Sequence, residues 1–431
     1  MKNNLEEKNE PKVALVCKRD TGGAGIACAR LHVGLLAHGY SSQLLLQTGS
    51  EEYEQRAILP DFAQPLGGFS GFTLKVAQKA LGYKLKKEIS KIAVCRPSGL
   101  ERLSLPRSGY NLLKSETVKN ADIINLHWVG DVLDWPSFFR GIDKPVIWTL
   151  HDENPFSGVQ HYEETFLGMD EQGFPVPRVQ TVQERLWEQR YLQQKLGWLK
   201  NFNRLYVVSP SRWLMEKSMA SPVFSRFPHF HIPNGVPEYI YRTLNRDQCR
   251  DFLGLPRKKF LLLFVAEEMS NRRKGLEFLL KAINLMPTKI REEISLVSVG
   301  RFANSNAAAN RYILGPIRDE RLMTLAYNAA DAFVIPSLVD NLPNTIIESQ
   351  MCGTPVVGFP VGGIEEMIQE YSDGVLCENV SVAALVRGIQ QVFEEGAKFD
   401  REAISIAASE KYATSKQAQA YMHLYHNIYN S

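Results

Sequence analysis

Asp340 and Glu348 stand with seven residues between them in PSLVDNLPNTIIESQMCGTPVVGFPVGG, residues 336–363. Asn341 is placed to cap a helix over about 342–352, Pro343 falls in its first turn where a missing N–H costs nothing, and Gly353 stops it. The free N–H groups and dipole of such a helix start suit a phosphate. Glu348, about two turns further on, can accept two hydroxyl hydrogen bonds of the kind a ribose diol offers, while Asp340 precedes the helix, nearer a second sugar ring. An isolated pair of acids would read as a cap-region carboxylate and an ion-pair partner. The surrounding string shifts that reading toward a ligand site, with Asn341, Leu342, Asn344 and Glu348 as candidate contacts and a Gly-rich turn at Gly362 and Gly363 after them.

Arg272, Arg273 and Lys274 follow the apolar run FLLLFVA and precede Gly275. Cations at a strand end can meet a diphosphate, arginine as a fork and lysine as a point charge; a solvated basic turn is the bland alternative. Gly22, Gly23 and Gly25 occupy the first strand-to-helix turn, where a ligand can approach the backbone, or where the chain simply turns tightly. TGGAGIAC lacks the third glycine of a dinucleotide fingerprint, and no acid ends the next strand, so hydride transfer is disfavoured. His151 and Asp152 close the strand PVIWTLH and face the same space; His127 reads as a packing residue, and Asn234 and Gly235 as a turn.

The elements that must position these residues form two α/β series. Buried strands are expected at 12–17, 43–47, 121–128, 145–151 and 204–209, and again at 260–266, 294–300, 311–315, 331–336 and 354–359. Helices are expected at about 274–286, 319–330 and 342–352, with a helical pattern also in TVQERLWEQRYLQQKLGWLKNF, a linker with its own short helix near 231–258, and a final amphipathic helix. A length of 431 residues fits two domains. Hydrophobic and charged fractions of 44% and 23% are globular values, and a formal charge of +3 argues against a large nucleic-acid surface. Six cysteines without CxxC spacing suggest neither zinc site nor disulfide framework, so a reduced, cytoplasmic setting is expected. The polar start MKNNLEEKNEPK is unlike a secretory signal, and no apolar run is long enough to span a bilayer. A basic segment at 74–94, with Lys75, Lys79, Lys84, Lys86, Lys87 and Lys91, could touch an anionic membrane surface peripherally or be a solvated helix face.

VCKRDTGGAG, WTLHDENPFSG, VVSPSRWL, IPNGV, RRKG and SLVDNLPNTIIESQMCGTPVVGFPVGG, in that order, resemble the retaining glycosyltransferases of family 4, over about residues 12–430. The TLHD and DNLPNT strings are similar to those of bacterial enzymes that assemble surface polysaccharides. The resemblance implies a GT-B fold, two Rossmann-like domains facing a central cleft, with an acceptor-binding domain at 1–235, a nucleotide-sugar-binding domain at 236–412, and a helix at 413–431 crossing back. It implies a nucleotide-diphosphate sugar as substrate, no metal or other cofactor, and a glycan or lipid-linked acceptor. The family's two donor glutamates map onto Asp340, for the transferred sugar, and Glu348, for the ribose. Lys274 matches its diphosphate lysine, His151 its cleft histidine, and Gly22 and Gly23 its first glycine loop. His151, Asp340 and Lys274 are the implied catalytic set. The family's upstream arginine falls on Glu268 or Met269 here, with Arg272 or Arg273 as substitutes. A nucleotide-sugar epimerase or a silent sugar-nucleotide or glycan-binding protein are the rival readings.

Overall fold

The computed structural model describes residues 10–49, 53–58, 71–301, 311–369 and 372–431, excepting the side chains of 58 and 71–81. The expectations about Lys75 and Lys79 lie outside the described side chains.

Two wholly parallel sheets organise the chain. The first runs Arg56–Ile58, Ser42–Thr48, Val13–Arg19, Ile123–Leu126, Val146–Thr149, Leu205–Ser209, His229–His231. The second runs Arg311–Gly315, Ile294–Arg301, Phe260–Glu268, Ala332–Ile335, Val356–Gly358, Gly374–Leu376. Every expected strand is present; the apolar runs of the two central strands are buried on both faces, as helices on both sides of a parallel sheet require. In each sheet the first strand lies beside the second on one side and a later strand on the other. The chain therefore leaves in opposite directions from that point, and a crevice opens at the carboxyl ends of the two strands. In the first sheet this point carries the Gly22 turn and His127; in the second it carries residues 269–275 and 336–343.

The final helix, Thr414–Tyr429, returns to the first sheet and packs on the Gly22–Ala37 helix. It buries Ala418, Tyr421, Leu424, Tyr425 and Ile428 among Val13, Leu15, Leu31 and Leu44. Its two buried tyrosines reach through the core to strand residues: Tyr421 shares a 2.8 Å hydrogen bond with Thr149, and Asn125 Nδ2 donates to Tyr425 Oη at 2.8 Å. The outgoing and returning chains also pair, Val236 N donating to Tyr412 O and Thr414 N to Val236 O.

Tyr425→Phe leaves the buried Asn125 amide without its acceptor, which costs about 1–3 kcal/mol. The expected result is a lower urea midpoint for the unfolding phase that includes the first sheet; an unchanged midpoint contradicts the coupling of this helix to that sheet.

Candidate functional site

The turn after Phe260–Glu268 is tightened by Asn271, whose Oδ1 accepts from Arg273 N, and by Gly275 at φ +69°. A Cβ on Gly275 would meet Pro336 O at 1.8 Å, so only glycine lets this turn lie against the 336–343 loop. Gly363 does the same from the other side, where a Cβ would meet Asn341 O at 1.7 Å. Lys274 and Asp340 are thereby forced together: Nζ donates to Oδ2 at 2.5 Å. Arg273 Nη1 lies 3.3 Å from Asp340 Oδ1, and Asn341 N donates to that oxygen at 3.2 Å. Burial pushes the Asp340 carboxyl up, but the two cations outweigh it and hold it below the usual carboxylate range.

Arg273 reaches further. Its Nε donates to Glu101 Oε1 at 2.8 Å, and its guanidinium lies 4.6 Å over the Tyr162 ring. Burial would raise Glu101, yet Arg273 and Asn271 bring it down to about 2. Arg273 is therefore committed to a structural cluster. Arg272 is exposed, lies against Gly99 and has no ion pair among the described residues, so of the two substitutes it is the cation free to meet a ligand. Glu268 pairs with Arg301 of the neighbouring strand, which brings a further guanidinium to this edge.

Asn341 departs from the expected cap. The helix begins at Asn344, with Pro343 at the N-cap position. Asn341 instead accepts from Ser211 Oγ at 2.5 Å and donates to His151 O at 3.2 Å, because the glycine turn pulls the 336–343 loop against the first sheet's loops. Asn344 Nδ2 donates to Gly23 O at 3.0 Å and accepts from Asn234, whose side chain does more than turn the chain. Leu342 sends its side chain into the core with Ile346 and Ile364, so any ligand contact there falls to its main chain. Gly22 stands at φ +73° beside Glu267.

Glu348 is brought to the interface but is not free. Arg30, from the Gly22–Ala37 helix, donates to its Oε1 at 2.7 Å, and Tyr327 Oη to its Oε2 at 2.8 Å. Arg30 also holds Glu320 and Tyr241. All of these partners lie far from Glu348 in the sequence or on other elements, and no spacing rule exposes them.

His151 Nε2 and His127 Nδ1 are 3.0 Å apart, so His127 is a partner and not mere packing. Burial pushes His151 down to about 4, with Asp152 opposing, and pushes His127 well below its ordinary range. Asp152 is held low, against its burial, by His161, which it meets at 2.5 Å, and by hydrogen bonds from Asn154 and Trp128. His161 in turn touches Ser104 Oγ at 2.9 Å. Ser104, His161 and Asp152 thus form a hydrogen-bonded line of hydroxyl, imidazole and carboxylate that no sequence spacing exposes. Ser104 is fully buried, so the line braces the loop and is closed to substrate. The space beside His151 is only about 10 Å³. Among the described residues no group of three His, Cys, Asp or Glu side chains is placed to hold a metal, and no helix is long and apolar enough to cross a membrane.

Two neutral buried imidazoles make stability depend on pH. Unfolded histidine titrates near 6.5. Between there and about 4 the unfolded chain takes up a proton that folded His151 refuses, so stability falls as pH drops through that window. The loss from pH 7.5 to 5 is on the order of 2 kcal/mol for His151. Urea midpoints at the two pH values test this: His151→Gln is expected to shrink the difference, and an unaltered difference contradicts the assignment.

Residues 245–410 match the family model described as Glycosyl transferases group 1. The chain is 31% identical over 190 residues to the D-inositol 3-phosphate glycosyltransferase of Thermomonospora curvata, covering 39% of this chain and 44% of that one. It is 29% identical over 162 residues to the glycogen synthase of Thermus thermophilus, covering 36% of each. It thus matches less than half the length of these curated relatives. Among solved structures, sucrose-phosphate synthase from Thermosynechococcus elongatus superposes with a TM-score of 0.65 at 18% identity, over 97% of this chain and 99% of that one. Anabaena HepE in complex with UDP-glucose superposes at 0.63 and 15% identity, over 96% and 99%. The chain therefore has the GT-B fold, and its residues 245–410, which include Arg272–Lys274 and Asp340–Glu348, are similar to the group 1 glycosyl transferases.

Proposed function

We propose that this protein is a retaining glycosyltransferase that moves a hexosyl unit from a nucleotide-diphosphate sugar to a hydroxyl of a glycan or lipid-linked acceptor, in the assembly of bacterial surface polysaccharide. The observation that carries the proposal is the Lys274–Asp340 pair beside the start of the Asn344–Met351 helix, opposite His151. The similarity of residues 245–410 to glycosyl transferases supports it, as does the complex that Anabaena HepE, a protein of the same fold, forms with UDP-glucose.

In this reading the diphosphate takes Lys274 from Asp340, with Arg272 and the helix N-terminus as further partners, and the freed Asp340 carboxylate accepts from hydroxyls of the transferred sugar. The bond from the anomeric carbon to the phosphate oxygen breaks, and the acceptor oxygen bonds to that carbon from the same face. The acceptor proton passes to the departing phosphate, so no protein base is required and configuration is retained. Lys274 stabilises the charge that grows on the leaving group, a task that needs no metal. Neutral His151 orients donor and acceptor. Glu348 exchanges Arg30 for the ribose diol.

Incubation with UDP, GDP and ADP sugars, with and without lipid extract, is expected to release nucleotide from one of them only when acceptor is present. Lys274→Ala should lower that turnover by about 10²–10³-fold while chelation leaves it unchanged. Release without acceptor, or none with any donor, contradicts the proposal. Tight donor binding without release selects the silent binding reading, which the acid at Glu268 favours. A donor nucleotide lacking both ribose hydroxyls should bind more weakly by about 1.5–3 kcal/mol per lost charged hydrogen bond; equal affinity removes Glu348 from the ribose site.

A further inference from the structure

Outside the facing loops, a groove of about 580 Å³ runs between the Gly71–Val94 and Val182–Leu199 helices. Lys84, Lys87 and Lys91 line one wall and Arg190 the other. The three lysines share one helix face and spread over about 10 Å of its axis. None of these four cations has an ion pair among the described residues. The acid in the lining, Glu88, is already occupied by Tyr191 Oη at 2.5 Å, and the fifth cation, Arg107, is held by Asp134 at 2.9 Å. With Glu88 still charged and Arg107 offset by Asp134, the four unpaired cations leave the groove with a net charge of +3, as large as the formal charge of the whole chain. Such a concentration persists against self-repulsion and marks an anion site more readily than a scattered solvated face does.

The wall opposite the lysines is aromatic. Trp187 and Tyr191 stack at 6.1 Å with planes 17° apart, and the Arg190 guanidinium lies 5.2 Å and 5.8 Å over the two rings. Tyr191 is buried and backs the half-buried Trp187, so Trp187 and the Arg190 guanidinium form the surface open to a ligand. A ring edge and guanidinium beside a row of cations suit a ligand with sugar rings and charges repeated along its length, rather than a single phosphate. The groove is also tied to the His151 loop. Leu105 lines the small cavity beside His151, and Arg107, two residues on, lines the groove. Glu188, adjacent to Trp187, accepts from the main-chain N–H groups of Gly158, Val159 and Gln160.

We infer that this groove binds an anionic oligosaccharide, as the distal segment of the acceptor. Its binding is independent of the transferase reading, whereas its role as acceptor rests on it. A membrane surface would meet the same cations, but it is flat, and here they converge across a concavity.

Binding is measured by calorimetry on the full chain without donor, using tetragalacturonate, maltotetraose, inorganic phosphate and phosphatidylglycerol vesicles as probes. Tetragalacturonate is expected to bind at low salt at least about tenfold more tightly than maltotetraose or phosphate, and to weaken as salt is raised. Lys87→Glu with Lys91→Glu, on exposed positions that leave the fold intact, should weaken it by about tenfold or more, and Trp187→Ala comparably. Equal binding of maltotetraose, no binding of tetragalacturonate, insensitivity to these variants, or binding of vesicles alone would each overturn the inference. Because donor is absent, such a failure is separate from a failure to release nucleotide.

Discussion

A buried carboxylate cannot stay ionised unless cations reach it, and the geometry around Asp340 follows from that constraint. Lys274 and Arg273 are consecutive residues of one turn, and both converge on Asp340 because Gly275 and Gly363 let the turn and the 336–343 loop touch. Arg273 then carries the constraint across the interface to Glu101 and Tyr162, so the charge state of one loop of the second sheet fixes where the first sheet's loops sit. Removing either cation would leave the buried Asp340 carboxylate with only the other to hold its charge, a destabilising change in a low-dielectric site. Removing the acid would leave Lys274 without its ion-pair partner, whereas Arg273 keeps Glu101.

A second cross-interface cluster, Arg30 with Glu348 and Glu320, sits beside the first. Both oxygens of Glu348 are taken, one by Arg30 and one by Tyr327. In the proposed function a ribose must replace Arg30 there, just as a diphosphate must replace Asp340 at Lys274. The ligand-free site is thus satisfied by its own groups, with the two sheets drawn together by the same charges that would hold a donor. In that reading binding exchanges internal pairs for ligand pairs, Lys274–Asp340 and Arg30–Glu348 both opening to the donor.

The central strands and the final helix were legible because their periodicity is set by burial: FLLLFVA and ISLVSVG can only be strands covered on both faces. Short edge strands such as Arg56–Ile58, His229–His231 and Gly374–Leu376, and the antiparallel hairpin Phe166–Met169 with Pro175–Pro177, were not, since three or four residues carry too little pattern. At the site, Asp340 and Glu348 stood out by type and spacing on one helix and its preceding turn, and Lys274 by its place after the FLLLFVA strand; the structure brings Lys274 to Asp340 and gives Glu348 to Arg30 and Tyr327. Asn341 was misread because cap chemistry competes with tertiary contacts, and the pull of Gly363 and Ser211 prevailed. Arg30, Glu101 and Tyr162 left no local signal: each is an ordinary residue in its own segment and gains its role from a partner more than a hundred residues away.

The exchange of internal pairs for donor pairs is tested most directly by a crystal structure of the full chain with a non-hydrolysable analogue of whichever nucleotide-diphosphate sugar it turns over. The account predicts diphosphate oxygens within hydrogen-bond distance of Lys274 Nζ and the main chain at Asn344, with ribose hydroxyls on Glu348 where Arg30 now stands. A nucleotide bound elsewhere, with the Arg30–Glu348 and Lys274–Asp340 pairs intact, would contradict it.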